Sequence, residues 1–323
     1  MHLWHNNAKS KKPVNSWLCG FGVILFHPNP KPKRADLAAL KSRRYINAKS
    51  FAPRTRRKTI FGKAQKTAQK LAIANRKSGC GKTMTAISLA AGLARNGKRV
   101  LAIDADSQHP LTVSFSIAEL DKLALTLASA MTHIVNGRDF DPTAGIVHHA
   151  EGVDVLPANS NLSALEISLA GIIGRETVLR QYIDKVKPLY DYIILASAPT
   201  LDLMTVNALA AADSVIIRVA PKFLDAIGLE LLLKAAAQIR WQFNPALEFD
   251  GILLTMVDRW AHFTREVIAS IENAWGGKIK IFVESVPRAA ETSANGVSIF
   301  RHDPNGKVAA TYSALVEGVL ANG

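Results

Sequence analysis

Cysteine is scarce in this sequence. Cys19 and Cys80 are the two cysteines among 323 residues, and their number excludes a disulfide framework. Neither belongs to a CxxC pair or to a Cys/His cluster of the kind that binds zinc or an iron–sulfur cluster. Such low cysteine content is typical of the reducing cytosol, so we expect a cytoplasmic protein.

Long apolar runs are also missing. The longest run near the start, Trp17–Phe26, is far shorter than the roughly 20 residues that a helix needs to cross a bilayer. Lysines precede this run, as they do in a signal peptide, but the sequence that follows it, HPNPKPKR, has no small-x-small cleavage pattern. We therefore expect a chain that is neither exported nor inserted into a membrane.

Acidic residues are almost absent from the first 70 positions. Residues 1–70 contain 17 Lys or Arg and a single acid, Asp36, for a net charge of +16, whereas residues 71–323 contain 23 bases and 25 acids, for a net charge of −2. Prolines interrupt residues 1–66, which also lack apolar periodicity. We predict a disordered basic arm at 1–66 and a globular domain at 67–323. Basic clusters such as Arg54–Lys58 suit sequence-independent contact with DNA phosphates.

From Leu71 onward, short apolar runs alternate with helical stretches, as in βαβ units. The predicted strands are Leu71–Ala74, Val100–Ile103, Val153–Leu156, Tyr192–Leu195, Ser214–Val219, Gly251–Thr255 and Ile279–Val283. The predicted helices are Thr83–Asn96, Leu162–Val186, Thr205–Ala212, Leu224–Ile239, Thr264–Trp275 and Lys307–Leu320. This alternation predicts an α/β fold with a mostly parallel, twisted sheet of about seven strands and helices on both faces.

The first predicted strand runs directly into residues 76–83, RKSGCGKT, and a predicted helix follows. The ordinary phosphate-binding loop reads G-x-x-x-x-G-K-[ST], and here Arg76 stands in place of its first glycine. Small residues allow successive backbone N–H groups to surround a phosphate, and the positive end of the following helix favours the anion. Lys82 would bring charge to the β- and γ-phosphates, and the Thr83 hydroxyl is a candidate Mg²⁺ ligand. The segment predicts nucleotide binding.

Two acids follow the second predicted strand. Asp104 and Asp106 are two positions apart, so both side chains lie on one face of the extended chain. Ligands of doubly wound sheets gather at the carboxyl ends of the strands. We therefore expect both carboxylates to approach the same metal–phosphate group.

Lys77 is not part of the ordinary loop motif. A lysine at this place is the signature of the deviant Walker A motif, K-G-G-x-G-K-[ST], and at this point the sequence resembles the ParA and MinD family. The similarity extends from about residue 71 to 320 and includes Ile103–Gln108, Asn207–Asp213, Leu254–Arg259 and Val286–Arg288. It is specific to ParA-type partition ATPases, including those of plasmids and conjugative elements.

The resemblance implies a P-loop NTPase fold and a slow ATPase that uses ATP and Mg²⁺. It also implies a homodimer that forms on ATP, binds non-specific DNA on the nucleoid and responds to a centromere-binding, ParB-like partner. The function implied is segregation of plasmid or other mobile DNA. The population shift to the dimer would come from contacts, such as those of Lys77, that exist in the dimer alone.

The resemblance also assigns roles to residues. Lys77 would reach the partner's phosphates, Asp106 would orient or activate the attacking water, and Asp104 would hold the Mg²⁺ shell together with Thr83. Lys77 and Asp106 are therefore the candidate catalytic residues. The candidate nucleotide-binding residues are Lys77, Ser78, Gly79, Cys80, Gly81, Lys82, Thr83, Met84, Pro287 and Arg288.

Three departures from the family pattern fall in this site. Ala196 stands where the family's I-I-D-x-P-P motif has an acid, Ser78 replaces a glycine, and Gln108–Pro110 replaces Q-G-N. Loss of a supporting carboxylate typically costs about 10–100-fold in metal affinity or activity. Ser197 is a candidate neutral substitute. A second function therefore stays open, that of a nucleotide-binding but weakly hydrolysing regulator of DNA binding.

The C-terminal residues bear on membrane binding, and the N-terminal residues bear on DNA binding. A MinD-like membrane ATPase needs a basic amphipathic C-terminal helix, but residues 311–323 contain no base and one acid, Glu317, which argues against membrane anchoring. Residues 1–60 are either a DNA-binding arm or an untranslated leader, because the family's proteins usually begin just before the first strand.

Overall fold

The computed structural model describes residues 67–77, 79, 81–257, 262–287 and 296–322. The predicted basic arm lies outside the described residues. The strands are β1 (Gln69–Ala74), β2 (Val100–Ala105), β3 (Val147–His149), β4 (Val153–Leu156), β5 (Tyr192–Ser197), β6 (Ser214–Val219), β7 (Glu248–Val257) and β8 (Ile281–Pro287). The α-helices are α1 (Lys82–Arg95), α2 (Pro110–Ser114), α3 (Leu127–Val135), α4 (Asn161–Leu169), α5 (Val178–Val186), α6 (Leu203–Ala211), α7 (Phe223–Gln242), α8 (His262–Trp275), α9 (Ile299–His302) and α10 (Lys307–Asn322).

The strands form a single sheet in the order β3-β4-β2-β5-β1-β6-β7-β8. All neighbours are parallel except β3 and β4, which are antiparallel at one edge. The α/β prediction of a mostly parallel sheet is confirmed. The strand that the sequence pattern missed, β3, is short and only partly buried, so it carries no apolar run.

Helices cover both faces of the sheet. One face packs against α1, α9 and α10, and the other packs against α3 to α8. Every residue of β2, β5 and β6 is buried, which explains why apolar residues dominate these strands in the sequence. In the described part of the chain, no helix combines the length and the apolar composition that a membrane crossing requires.

The helix predicted at Leu162–Val186 is wrong as a single element. The structure has α4, a turn with one 3₁₀ segment at Arg175–Thr177, and then α5. Gly174, the N-cap of the 3₁₀ segment, has φ 77°, a left-handed conformation that glycine adopts readily and that a continuous right-handed helix does not contain. The apolar periodicity continues across the break because α4 and α5 pack on the same face of the sheet.

The close packing of α1 against the C-terminal elements yields a first prediction. A Cβ atom at Gly92 would lie 2.5 Å from Cγ2 of Val316 and 2.9 Å from Cε2 of Phe300. Overpacking typically costs about 1–3 kcal/mol, more than the gain of up to about 1 kcal/mol that alanine brings to a helix interior. We expect Gly92→Ala to lower the free energy of unfolding by about 1 kcal/mol or more, measured by urea denaturation.

The control for this substitution is Gly277→Ala. Gly277 is exposed, and a Cβ atom there meets nothing within 4 Å, so the free energy of unfolding should change by less than about 0.5 kcal/mol. An equal loss in both variants would contradict the packing explanation.

Candidate nucleotide-binding site

The turn between β1 and α1 has the backbone geometry of a phosphate-binding loop. Gly79 and Gly81 have φ angles of 70° and 78°, in the left-handed region that favours glycine. Gly81 is the N-cap of α1, and among the described residues no side chain caps this helix. The N–H groups of its first turn therefore face the loop together with the positive end of the helix dipole. Ser78 and Cys80 lie outside the described residues.

Both lysines of the loop are held by the chain itself. Nζ of Lys82 donates a hydrogen bond to the backbone carbonyl of Lys77, 3.2 Å away. Nζ of Lys77 lies 2.9 Å from Oδ1 of Asp225 in the first turn of α7, where the Asp225 side chain is only 2% exposed. The backbone N–H of Lys77 also donates to Asn75 Oδ1 at 2.9 Å. In this structure the signature lysine is therefore directed to its own chain.

The two acids predicted at the end of β2 lie at the same end of the sheet as the loop, with β5 between β2 and β1. Oδ2 of Asp104 accepts from the backbone N–H and the hydroxyl of Thr112 in α2, both at 2.8 Å. Burial raises the pKa of Asp104 to about 7, and the Thr112 hydrogen bonds oppose this rise. Oδ1 of Asp106 accepts from the backbone N–H of Gln108 at 2.9 Å. The structure thus gathers both carboxylates, and α2 holds Asp104 in place.

The missing acid leaves an apolar position in the middle of the site. Ala196 is in register with Asp104 on β2 and with Ile73 on β1, and it is 6% exposed. Ser197 does not replace the acid, because alternation along β5 directs its side chain to the other face of the sheet. Its hydroxyl donates to the carbonyl of Ile73 at 3.0 Å. The hydroxyl of Ser197 therefore holds β5 to β1.

The third departure from the family pattern, Gln108–Pro110 in place of Q-G-N, keeps the backbone turn that a glycine would make. His109 has φ 44° and ψ 43° and is the N-cap of α2, and Pro110 is at the first helical position. Histidine is among the residues found more often than most in the left-handed region, and proline fits the first turn of a helix because its missing N–H is not needed there. The substitution therefore preserves the local fold around Thr112.

The other residues predicted to bind the nucleotide are Met84, Pro287 and Arg288. The Met84 side chain is buried, 7% exposed, and its sulfur accepts from the Ser88 hydroxyl at 3.4 Å, so it belongs to the core below the loop. Pro287 is the last residue of β8 and pairs with Val257. Arg288 lies outside the described residues. Within the described part, His, Cys, Asp and Glu form no group of three or more that could hold a metal ion.

A polar cluster below the loop is not evident from the sequence. The Thr85 hydroxyl donates to the carbonyl of Gly81 at 3.2 Å, and it lies 2.9 Å from the Tyr312 hydroxyl of α10. Burial raises the pKa of Tyr312. Because Thr85 uses its hydrogen on Gly81, Tyr312 donates to Thr85. The C-terminal helix thereby supports the N-cap of α1.

The sequence is similar to those of known ATPases. A family model described as an AAA domain matches residues 68–249. The chromosome-partitioning ATPase Soj of Thermus thermophilus is 35% identical over 256 residues, which cover 78% of this chain and 96% of that protein. The sporulation initiation inhibitor protein Soj of Bacillus subtilis is 34% identical over 254 residues, 78% of this chain and 98% of that protein. The chromosome partitioning protein ParA of Caulobacter vibrioides is 31% identical over 254 residues, 78% of this chain and 93% of that protein.

Solved structures have the same architecture. Cobyrinic acid a,c-diamide synthase from Mycobacterium smegmatis, with bound ATP analogue and magnesium, gives a TM-score of 0.69 at 29% identity and covers 78% of this chain and 94% of that one. A plasmid partition protein from Borrelia burgdorferi gives a TM-score of 0.61 at 22% identity, covering 80% of this chain and 100% of that one, which supports the fold alone.

The fold and the loop define a P-loop NTPase. Within that class, the chain belongs to the ParA/Soj family of partition ATPases. The family resemblance inferred from the sequence is confirmed.

The position of Ser197 yields a second prediction. Ser197→Ala should lower the free energy of unfolding by about 1 kcal/mol, because one buried hydrogen bond is lost. The affinity for ATP in Mg²⁺ should stay unchanged, measured by calorimetric titration. Thr83→Ala is the comparison: it removes a candidate Mg²⁺ ligand and should weaken the affinity for ATP in Mg²⁺, by no more than removal of the Mg²⁺ itself. A similar loss of affinity in Ser197→Ala would mean that this hydroxyl does serve the metal.

Proposed function

We propose that this protein is a slow ATPase that segregates plasmid or other mobile DNA, and that ATP with Mg²⁺ binds in the turn between β1 and α1. The observation that carries the proposal is the start of α1, which no side chain among the described residues caps, behind two left-handed glycines and with Lys82 and Lys77 beside it. The ATP analogue and magnesium in the Mycobacterium smegmatis structure, 29% identical to this chain, support the choice of ligand.

Each residue of the site has a role in this proposal. The loop N–H groups and Lys82 would bind the phosphates, and Thr83 and Asp104 would hold the Mg²⁺, which would neutralise phosphate charge. Asp106, fixed by Gln108, orients the attacking water. Phosphoryl transfer requires little beyond a positioned water and compensated charge, so the residues present fit a slow reaction. Ser78 and Cys80 would contribute backbone contacts from the loop, and Pro287 and Arg288 would contact the adenine.

The intrachain ion pair of Lys77 bears on dimerisation. In a dimer, Lys77 would leave Asp225 and contact the phosphates of the partner subunit. Breaking a contact with a carboxylate that is 2% exposed has a cost, since a buried charge loses its partner. Bound ATP would offset this cost by providing a stronger anion for the lysine. ATP therefore favours the dimer through a contact that the free chain lacks.

DNA binding and the partner protein complete the proposal. The +16 charge of residues 1–70 supports non-specific contact with DNA on the nucleoid of a cytoplasmic protein. A ParB-like centromere-binding partner would stimulate hydrolysis.

The second candidate function is a nucleotide-dependent regulator of DNA binding with little turnover. Ala196 favours it, because this position brings no charge beside Asp104.

A third prediction tests the nucleotide switch. ATP with Mg²⁺ should raise the dimer fraction in sedimentation velocity, and Lys82→Ala should abolish the rise because the phosphates lose their main cation. Lys70→Ala is the matched control, since Lys70 is in β1 at the opposite end from the loop and pairs with Asp213. If ATP leaves the wild-type dimer fraction unchanged, the switch is refuted.

A fourth prediction separates an ATPase from a regulator. Ala196→Asp restores the carboxylate beside Asp104 and should raise ATP turnover about tenfold or more at saturating Mg²⁺. Ala196→Asn has the same shape without the charge and should remain at the wild-type rate. Turnover is measured with and without duplex DNA. Equal rates in the Asp and Asn variants would show that the missing acid does not limit hydrolysis. If wild type hydrolyses ATP no faster than a protein-free control, with or without duplex DNA, the second candidate function, a nucleotide-dependent regulator of DNA binding, is favoured.

A further inference from the structure

An arginine of β6 lies directly below the phosphate-binding loop. Arg218 is 3% exposed. It is two positions beyond Ile216, which belongs to the apolar cluster on the α1 face together with Ile73 and Ala196. Alternation along the strand therefore places the Arg218 side chain on the same face as the loop and the missing acid. Arg218 is not among the residues predicted from the sequence, because one basic residue within an apolar strand carries no motif.

The guanidinium group packs against the N-cap glycine of α1. A Cβ atom built on Gly81 would lie 2.8 Å from Nη2, 3.1 Å from Cζ and 3.3 Å from Nη1 of Arg218. The group therefore occupies the space that any larger residue at position 81 would need. Its charge also acts on the cluster below the loop, because Arg218 opposes the rise that burial causes in the pKa of Tyr312.

This position changes the charge of the site. A charge buried in protein acts on a neighbouring anion more strongly than a charge in water, because the effective dielectric constant is lower. On the α1 face, β5 has Ala196 in place of an acid that would support a metal. On the same face, β6 has the buried positive charge of Arg218. Arg218 thus adds fixed positive charge beside the metal that Asp104 and Thr83 would hold, on a face where the supporting acid is missing.

We propose that Arg218 is a positioning residue of the nucleotide site that holds the loop at Gly81 and stabilises the bound polyphosphate electrostatically. As a result, nucleotide binding depends less on Mg²⁺ than it would with the acid present. This inference rests on the proposed function, in which the loop binds ATP.

The test is the affinity of the full chain for the fluorescent analogue mant-ADP, measured in Mg²⁺ and in EDTA. Wild type should bind in EDTA with an affinity within about tenfold of that in Mg²⁺, since the fixed cation remains. Arg218→Met keeps the length and removes the charge, and it should weaken binding in EDTA by roughly tenfold or more and binding in Mg²⁺ by less. Arg218→Lys keeps the charge and should retain most of the affinity in EDTA.

A matched control separates this role from general structural support. Arg180 is partly buried and donates to the carbonyls of Ala210 and Phe243, away from the loop. Arg180→Met should lower the melting temperature without changing the affinity of the folded protein for mant-ADP. A melting curve without nucleotide is recorded for every variant, and affinities are compared per folded molecule.

The outcomes are distinguishable. If Arg218→Met lowers only the melting temperature and binds mant-ADP as wild type does in both conditions, Arg218 is structural and the inference is wrong. If Arg218→Met does not fold, wild type decides, because binding that is lost in EDTA by more than about 100-fold would contradict a protein cation in this role. If wild type binds mant-ADP in neither condition, the proposed function fails, and this inference fails with it.

Discussion

The open start of α1 is the constraint on which the rest of the site depends. Gly81 leaves the first-turn N–H groups facing the loop, and Lys77, Lys82 and Arg218 lie around the same loop. Cations placed close together repel each other, so each is restrained separately, by Asp225, by a backbone carbonyl and by packing against Gly81. Such a site is suited to an anion that carries several charges.

The sheet makes this concentration of charge effective. β1 lies between β5 and β6, and both neighbours are buried along their whole length. Helices on both faces keep water away from the strands, so charges at the strand ends act through a medium of low dielectric constant. The same burial raises the pKa of Asp104 to about 7. The acids of β2 and the cations of the loop therefore owe their properties to the framework beneath them.

The sequence predicted those parts of the site that are local in the chain. The β1 strand, the glycine loop, α1 and the paired acids of β2 follow from short-range patterns, and the structure has each of them. The contacts of Asp225 with Lys77 and of Thr112 with Asp104 join residues from different elements, which no local pattern reveals. Arg218 was missed for the same reason, since its meaning depends on the position of Gly81. The breaks around Gly174 and the short β3 were missed because packing, and not periodicity, determines them.

The hydrogen bonds from Tyr312 through Thr85 to Gly81 have a consequence for folding during synthesis. The loop forms from residues near the start of the described chain, but its brace is in α10, the last helix described. On the ribosome, a nascent chain that already contains β1 and α1 lacks this brace until α10 has emerged from the exit tunnel. The nucleotide site therefore becomes complete late in translation, although its motif is translated early.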